Sequence, residues 1–126
     1  MLIGRVCLAE LMALAAGSPG KEICGLLFGS DARIYGAMPA LNISDRPGDE
    51  FEIDPAALIA AYKAERAGGP RVIGCYHSHP SGSAVPSERD AAAAEPGRLW
   101  LILGGGDARL WRARPGGFDE EAINTE

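Results

Sequence analysis

A short β-branched run that ends in two histidines and a proline constrains this chain more than any other stretch. Arg71-Val72-Ile73-Gly74-Cys75-Tyr76 follows Gly69-Pro70 and reads as a buried strand. His77-Ser78-His79-Pro80 comes next and holds both histidines of the protein. If the strand runs on through His79, the i, i+2 spacing sets both imidazoles on one face. Pro80 then ends it, having no N–H to give to a ladder. Pro86-Ser87-Glu88-Arg89-Asp90, followed by alanines, predicts a helix start with Ser87 at the N-cap and Asp90 at the third helical position. Two imidazoles and a carboxylate make a ligand set of the kind that holds zinc with a fourth position open. Ser-x-x-Asp is also close to a capping box, a purely structural device. On these residues alone both readings stand.

His77-Ser78-His79-Pro80, six further residues, Ser87, two more and Asp90 reproduce the motif of the JAMM (MPN+) zinc metallopeptidases, and the chain resembles that family. Glu22-Ile23-Cys24-Gly25-Leu26-Leu27-Phe28-Gly29 matches the Glu-x-x-Gly-Leu-Leu-x-Gly context of the family's glutamate. Phe51-Glu52-Ile53-Asp54-Pro55 is similar to a segment of its short bacterial and archaeal members. The likeness runs from about Glu22 to Asp107. It implies Zn2+ held by His77, His79 and Asp90, acidifying a water towards a pKa of ~7 and polarising a scissile carbonyl. It implies Glu22 as the carboxylate that takes the water's proton and delivers it to the leaving amine. Ser87 becomes a hydrogen-bond donor to the tetrahedral oxyanion. Without the resemblance, Glu22 is a solvated strand end beside Lys21. Ser78 lies on the opposite face from the histidines and is structural.

The resemblance also carries a fold, an α/β (α+β) architecture with a curved mixed sheet flanked by helices, MPN/JAB-like and related to the cytidine deaminases. It implies cleavage after the C-terminal Gly-Gly of a ubiquitin-like protein, for short prokaryotic members a small β-grasp partner of the ThiS/MoaD type. Such a tail would enter the cleft as an added strand. The chain is too short for the long insertions that give eukaryotic members their choice of polyubiquitin linkage. Three other readings have weaker support. A non-catalytic MPN scaffold would not need the full ligand set. A zinc deaminase needs His-x-Glu and Pro-Cys-x-x-Cys, and neither is present. A RadC-like DNA-repair protein shares the metal motif but sits badly with the charge balance.

That balance is a net −5 over 126 residues with no run of lysine or arginine, which argues against a nucleic-acid partner. The length fits one domain, residues 1–126, without repeats or linkers. Cys7, Cys24 and Cys75 are few, odd in number and without Cys-x-x-Cys spacing. They predict buried thiols in a reducing cytoplasm rather than a disulfide framework. Leu8, Leu11, Met12 and Ala15 recur at helical spacing, so Arg5 to Ala16 is an amphipathic helix and not a signal peptide. No apolar run is long enough to span a membrane.

The remaining elements follow from turn signals. Strands are expected at Glu22 to Gly29, Arg33 to Pro39, Phe51 to Ile53, Leu99 to Leu103, Ala108 to Arg112 and Phe118 to Ile123. A helix capped by Asp54 with Pro55 at its first position runs to about Ala67. The helix from Ser87 extends to near Glu95. If the Glu22 strand pairs antiparallel with the histidine strand, Cys24 falls opposite Cys75, close enough to test for a redox bridge.

Overall fold

The stripe of Leu8, Leu11, Met12 and Ala15 forms helix α1 (Arg5–Ala16) and turns it onto a sheet, with Leu11 buried and the other three packed against the core. The computed structural model describes residues 1–126. Its strands are β1 (Leu2–Ile3), β2 (Cys24–Gly29), β3 (Arg33–Ala40), β4 (Val72–Ser78), β5 (Leu99–Gly104), β6 (Asp107–Arg114), β7 (Gly117–Glu121) and β8 (Asn124–Thr125). They form one mixed sheet in the order β7-β6-β5-β4-β2-β3-β1-β8. Helices α2 (Pro55–Arg66) and α3 (Glu88–Ala93) complete the fold. None of the helices is long and apolar enough to cross a membrane.

The histidine strand β4 lies in the middle, antiparallel to β2 and parallel to β5. One face of the sheet packs Leu27, Ile73, Tyr76, Leu99, Leu101 and Leu103 with Leu11 of α1. Each such side chain contributes roughly 1.5–3 kcal/mol by leaving water. The other face packs Leu26 and Val72 against Ala61 of α2. A bulge in the β2–β4 pairing, between Leu27 and Phe28, shifts the alternation so that Val72 shares this second face with His77. Gly25 is required where it stands, because a Cβ there would lie 2.4 Å from the Tyr76 ring and 2.3 Å from the Met38 carbonyl oxygen.

Several boundaries depart from the sequence reading. Phe51 to Ile53 forms no strand, only an isolated bridge between Asn42 and Ile53. The Asn42 side chain explains this: its Oδ1 accepts the N–H groups of both Ser44 and Glu52, which a ladder would otherwise use. β2 begins at Cys24, so Glu22 is not on the strand. α3 ends at Ala93, with Ala94 already extended. The two-residue strands β1 and β8 are too short to carry a periodicity; they form because β1 pairs in parallel with both β3 and β8.

The strands pair antiparallel as expected, but the register sets Cys24 diagonal to Cys75 rather than opposite it. Cys24 lies opposite His77 and Cys75 opposite Leu26, and all three thiols are free. β2 starts level with the histidine end of β4, which moves the two cysteines to diagonal positions. Diagonal pairs sit about 7–8 Å apart, beyond disulfide reach. Burial, and then the Glu22 charge, pushes the Cys24 thiol up to about 11, and burial pushes Cys75 higher, so neither is a reactive thiolate.

Candidate metal centre

β4 carries His77 into the interior, where it is 0% exposed and level with Ile102 of β5. The ladder ends at Ser78, one residue short of the expected strand. His79 is still tied to β5, because its backbone N–H donates to the Leu103 carbonyl at 2.8 Å. The two rings therefore converge, with their Nε2 atoms 3.0 Å apart. His79 Nδ1 lies 2.6 Å from the Ser83 carbonyl oxygen, which can only accept. The ring hydrogen is thus on Nδ1, and the Nε2 lone pair faces His77.

α3 delivers the third group. Ser87 and Asp90 form a reciprocal capping box: Asp90 N–H donates to Ser87 Oγ at 3.1 Å, and Ser87 N–H to Asp90 Oδ2 at 2.9 Å. The same Oδ2 lies 3.3 Å from His77 Nε2 and 3.2 Å from His79 Nε2. The structural device and the convergence on the histidines are thus one arrangement, not alternatives. Glu22 approaches from the segment ahead of β2, a carboxylate oxygen and both imidazoles lying within 4.8 Å of one another. Its Oε1 is buried without a hydrogen-bond partner. Ser87 stands at the mouth, lining with Glu22, His79 and Ser83 a cleft of about 290 Å³.

The electrostatics separate the two carboxyls. Burial by itself would raise Asp90, but its close contacts with the His77 and His79 rings and the hydrogen bond from the Ser87 N–H hold it well below the usual carboxylate range. Burial pushes Glu22 up to about 7, with His79 opposing and the Asp90 charge adding to the rise. Burial lowers His77 against the pull of Asp90, keeping it a neutral imidazole.

This donor set fits a metal ion. Zinc–ligand bonds of about 2.0–2.2 Å in tetrahedral geometry place ligand atoms about 3.3–3.5 Å apart. The three edges among His77, His79 and Asp90 are 3.0, 3.3 and 3.2 Å. Electron-pair donors converging on one point, with a buried carboxylate oxygen unpartnered beside them, are what a cation satisfies. Asp90 is at ligand spacing, and Glu22 stands next to that triad.

Supporting residues escaped the sequence reading. Asn42 donates to the Glu22 and Glu50 carbonyls at 3.0 and 3.1 Å, pinning the loop ahead of α2 to the glutamate. Ser78, on the far face as expected, accepts the Ile23 N–H at 2.9 Å and so fixes the residue next to Glu22. Trp111 of β6 donates its indole N–H to the Ala84 carbonyl at 3.0 Å, holding down the loop that presents Ser83 to His79. No sequence signal marks Trp111, since its partner is a backbone atom far along the chain. Trp111→Phe keeps the ring but leaves the carbonyl of buried Ala84 unpaired. A stability loss of ~1 kcal/mol is expected, with weaker metal retention in chelator competition as the Ser83 loop loosens.

Residues 5–114 match the family model of prokaryotic homologs of the JAB domain. A desampylase of Haloferax volcanii is 41% identical over 91 residues, which cover 70% of this chain and 66% of that protein. A probable TtuB-protein conjugate cleaving protease of Thermus thermophilus is 33% identical over 104 residues, covering 82% of this chain and 70% of the relative. The chain thus spans about two thirds of the length of these relatives. The solution structure of a Desulfitobacterium hafniense protein superimposes with a TM-score of 0.84 at 27% identity, covering 99% of this chain and 92% of that one. With the His-x-His-Pro…Ser-x-x-Asp motif assembled around one point, this chain belongs to the prokaryotic JAB-domain homologues, the short prokaryotic branch of the JAMM (MPN+) family.

Proposed function

We propose that this protein is a zinc-dependent isopeptidase that hydrolyses the bond after the C-terminal Gly-Gly of a ubiquitin-like β-grasp protein. The convergence of His77, His79 and Asp90 at ligand spacing, with the Glu22 carboxylate beside them, carries the reading. The names of the relatives, a desampylase and a protease cleaving TtuB-protein conjugates, support the substrate class. The three free thiols suit a cytoplasmic setting. The intact ligand set favours an enzyme over a scaffold.

His77, His79 and Asp90 would hold the zinc, which when bound supplies Lewis-acid polarisation of the scissile carbonyl and acidifies an attacking water. The protein's own groups do the rest. Ser83 fixes the His79 tautomer, and the capping box fixes the Asp90 carboxylate. Glu22, its carboxylate buried beside the histidines, accepts a proton from water and returns it to the departing amine. Ser87 Oγ accepts the Asp90 N–H, and its own hydrogen donates to the oxyanion.

Metal analysis should find one zinc per chain. A ThiS/MoaD-type protein extended beyond its Gly-Gly should be cut at that junction, and a chelator should stop the cleavage until zinc is returned. An uncut extension after incubation with zinc-loaded protein would overturn the substrate class.

Ser87→Ala separates capping from catalysis by magnitude. Loss of the cap costs ~1 kcal/mol of stability, whereas loss of an oxyanion donor costs about 3–4 kcal/mol of transition-state stabilisation. Turnover should fall far more than the melting temperature. Unchanged turnover with a lower melting temperature would leave Ser87 as a cap only.

A further inference from the structure

The two imidazoles are oriented by different devices. His79 gives its Nδ1 hydrogen to the Ser83 carbonyl. His77 has no such partner, for its Nδ1 is buried without a hydrogen bond. A metal-binding histidine ordinarily has its second nitrogen held by a carboxylate, a carbonyl or a water, which fixes the ring plane. Around His77 the neighbours are aromatic instead. Phe51 stacks on the ring at 4.3 Å between centroids and 20° between planes. Trp100 meets it edge-on at 5.3 Å and 87°. Phe51 and Trp100 also touch each other, at 5.5 Å and 68°, and Phe118 backs Trp100 at 5.5 Å.

We propose that Phe51 and Trp100 are positioning residues that set the ring plane of His77 and so aim its Nε2 at the point shared with His79 and Asp90. A stacked face together with a perpendicular edge blocks rotation about the Cβ–Cγ bond. Turning the imidazole by a quarter would drive its edge into Phe51. The clamp does by shape what Ser83 does for His79 by a hydrogen bond. It draws on three separate parts of the chain: Phe51 from the loop ahead of α2, Trp100 from β5 and Phe118 from β7. The inference rests on the metal-centre reading above.

Phe51 is the residue to test, because it is half-buried in a loop, whereas Trp100 is buried in a central strand. Phe51→Leu and Phe51→Met fill much of the space without a ring, and Phe51→Tyr restores the ring. Two quantities are read: zinc affinity by chelator competition, and the His77 ring-proton resonances of the zinc-free protein. The leucine and methionine variants should bind zinc about tenfold or more weakly. Their His77 resonances should move downfield as the shielding of the stacked ring is lost, and tyrosine should restore both properties. Leucine and methionine variants with wild-type zinc affinity, or a tyrosine variant as weak as they are, would overturn the proposal. A wild-type protein that binds no zinc would instead refute the metal-centre reading. The resonances then decide the clamp alone, and unmoved His77 signals in Phe51→Leu overturn it.

Discussion

Glu22→Gln should leave zinc bound and reduce turnover by roughly 10²–10⁴-fold. The amide keeps the shape of the side chain and the carbonyl that Asn42 holds, but it cannot take a proton. Zinc content and single-turnover cleavage measured on one preparation separate binding from chemistry. Turnover within a few-fold of wild type would mean that another group carries the proton. The same substitution should alter stability in the opposite sense. Burial raises the Glu22 carboxyl from 4.5 to about 7, so the folded protein holds a proton that the unfolded chain releases in that window. The stability linked to the neutral carboxyl is full below the unfolded value and is lost as pH rises through about 7. Once ionised, the group costs about 3 kcal/mol. Glutamine does not titrate, so metal-free Glu22→Gln should be more stable than metal-free wild type at alkaline pH and show a flatter profile between about pH 5 and 8. Urea midpoints at the two ends of that range check it.

Asp90→Asn should strip the site of metal while leaving the helix in place. One oxygen, Oδ2, faces both imidazoles and also accepts the Ser87 N–H. An amide oxygen can still accept that N–H, so the cap largely survives. What goes is the negative charge, which burial would discourage and which converges with both imidazole nitrogens on one point. Zinc affinity should therefore fall by more than the roughly 10–100-fold typical of losing an outer partner. The change in melting temperature of the metal-free protein should stay small. Replacing His77 and His79 together with alanine should abolish zinc binding altogether. Stoichiometric zinc in that double variant would sink the ligand assignment, whatever the activity.

The spacing of His77, His79 and Asp90 was legible because local geometry dictates it, while the choice between a capping box and a ligand set came from the likeness to a family. A buried strand ending in His-x-His, and an acid one turn into a helix, are short-range patterns that backbone dihedrals enforce. Helix α1 appeared at its full extent for the same reason, through apolar positions at helical spacing. Glu22 was different. Its charge ahead of an apolar run had no local explanation, and only the likeness to a family pointed to it.

What the sequence determined by itself is therefore the order of the longer helices and strands and three side chains at ligand spacing, to which the likeness to a family gave a chemistry. The tertiary structure decided register and support. The β2–β4 register set Cys24 opposite His77 and diagonal to Cys75. Asn42 took the hydrogen bonds that a strand at Phe51 to Ile53 needed. Phe51 reached His77, and Trp111 the loop that holds His79, from distant segments. These depend on which strand slides against which, and on side chains meeting across the fold. Such contacts form only when a chain closes many loops at once, and no window of neighbouring residues encodes them.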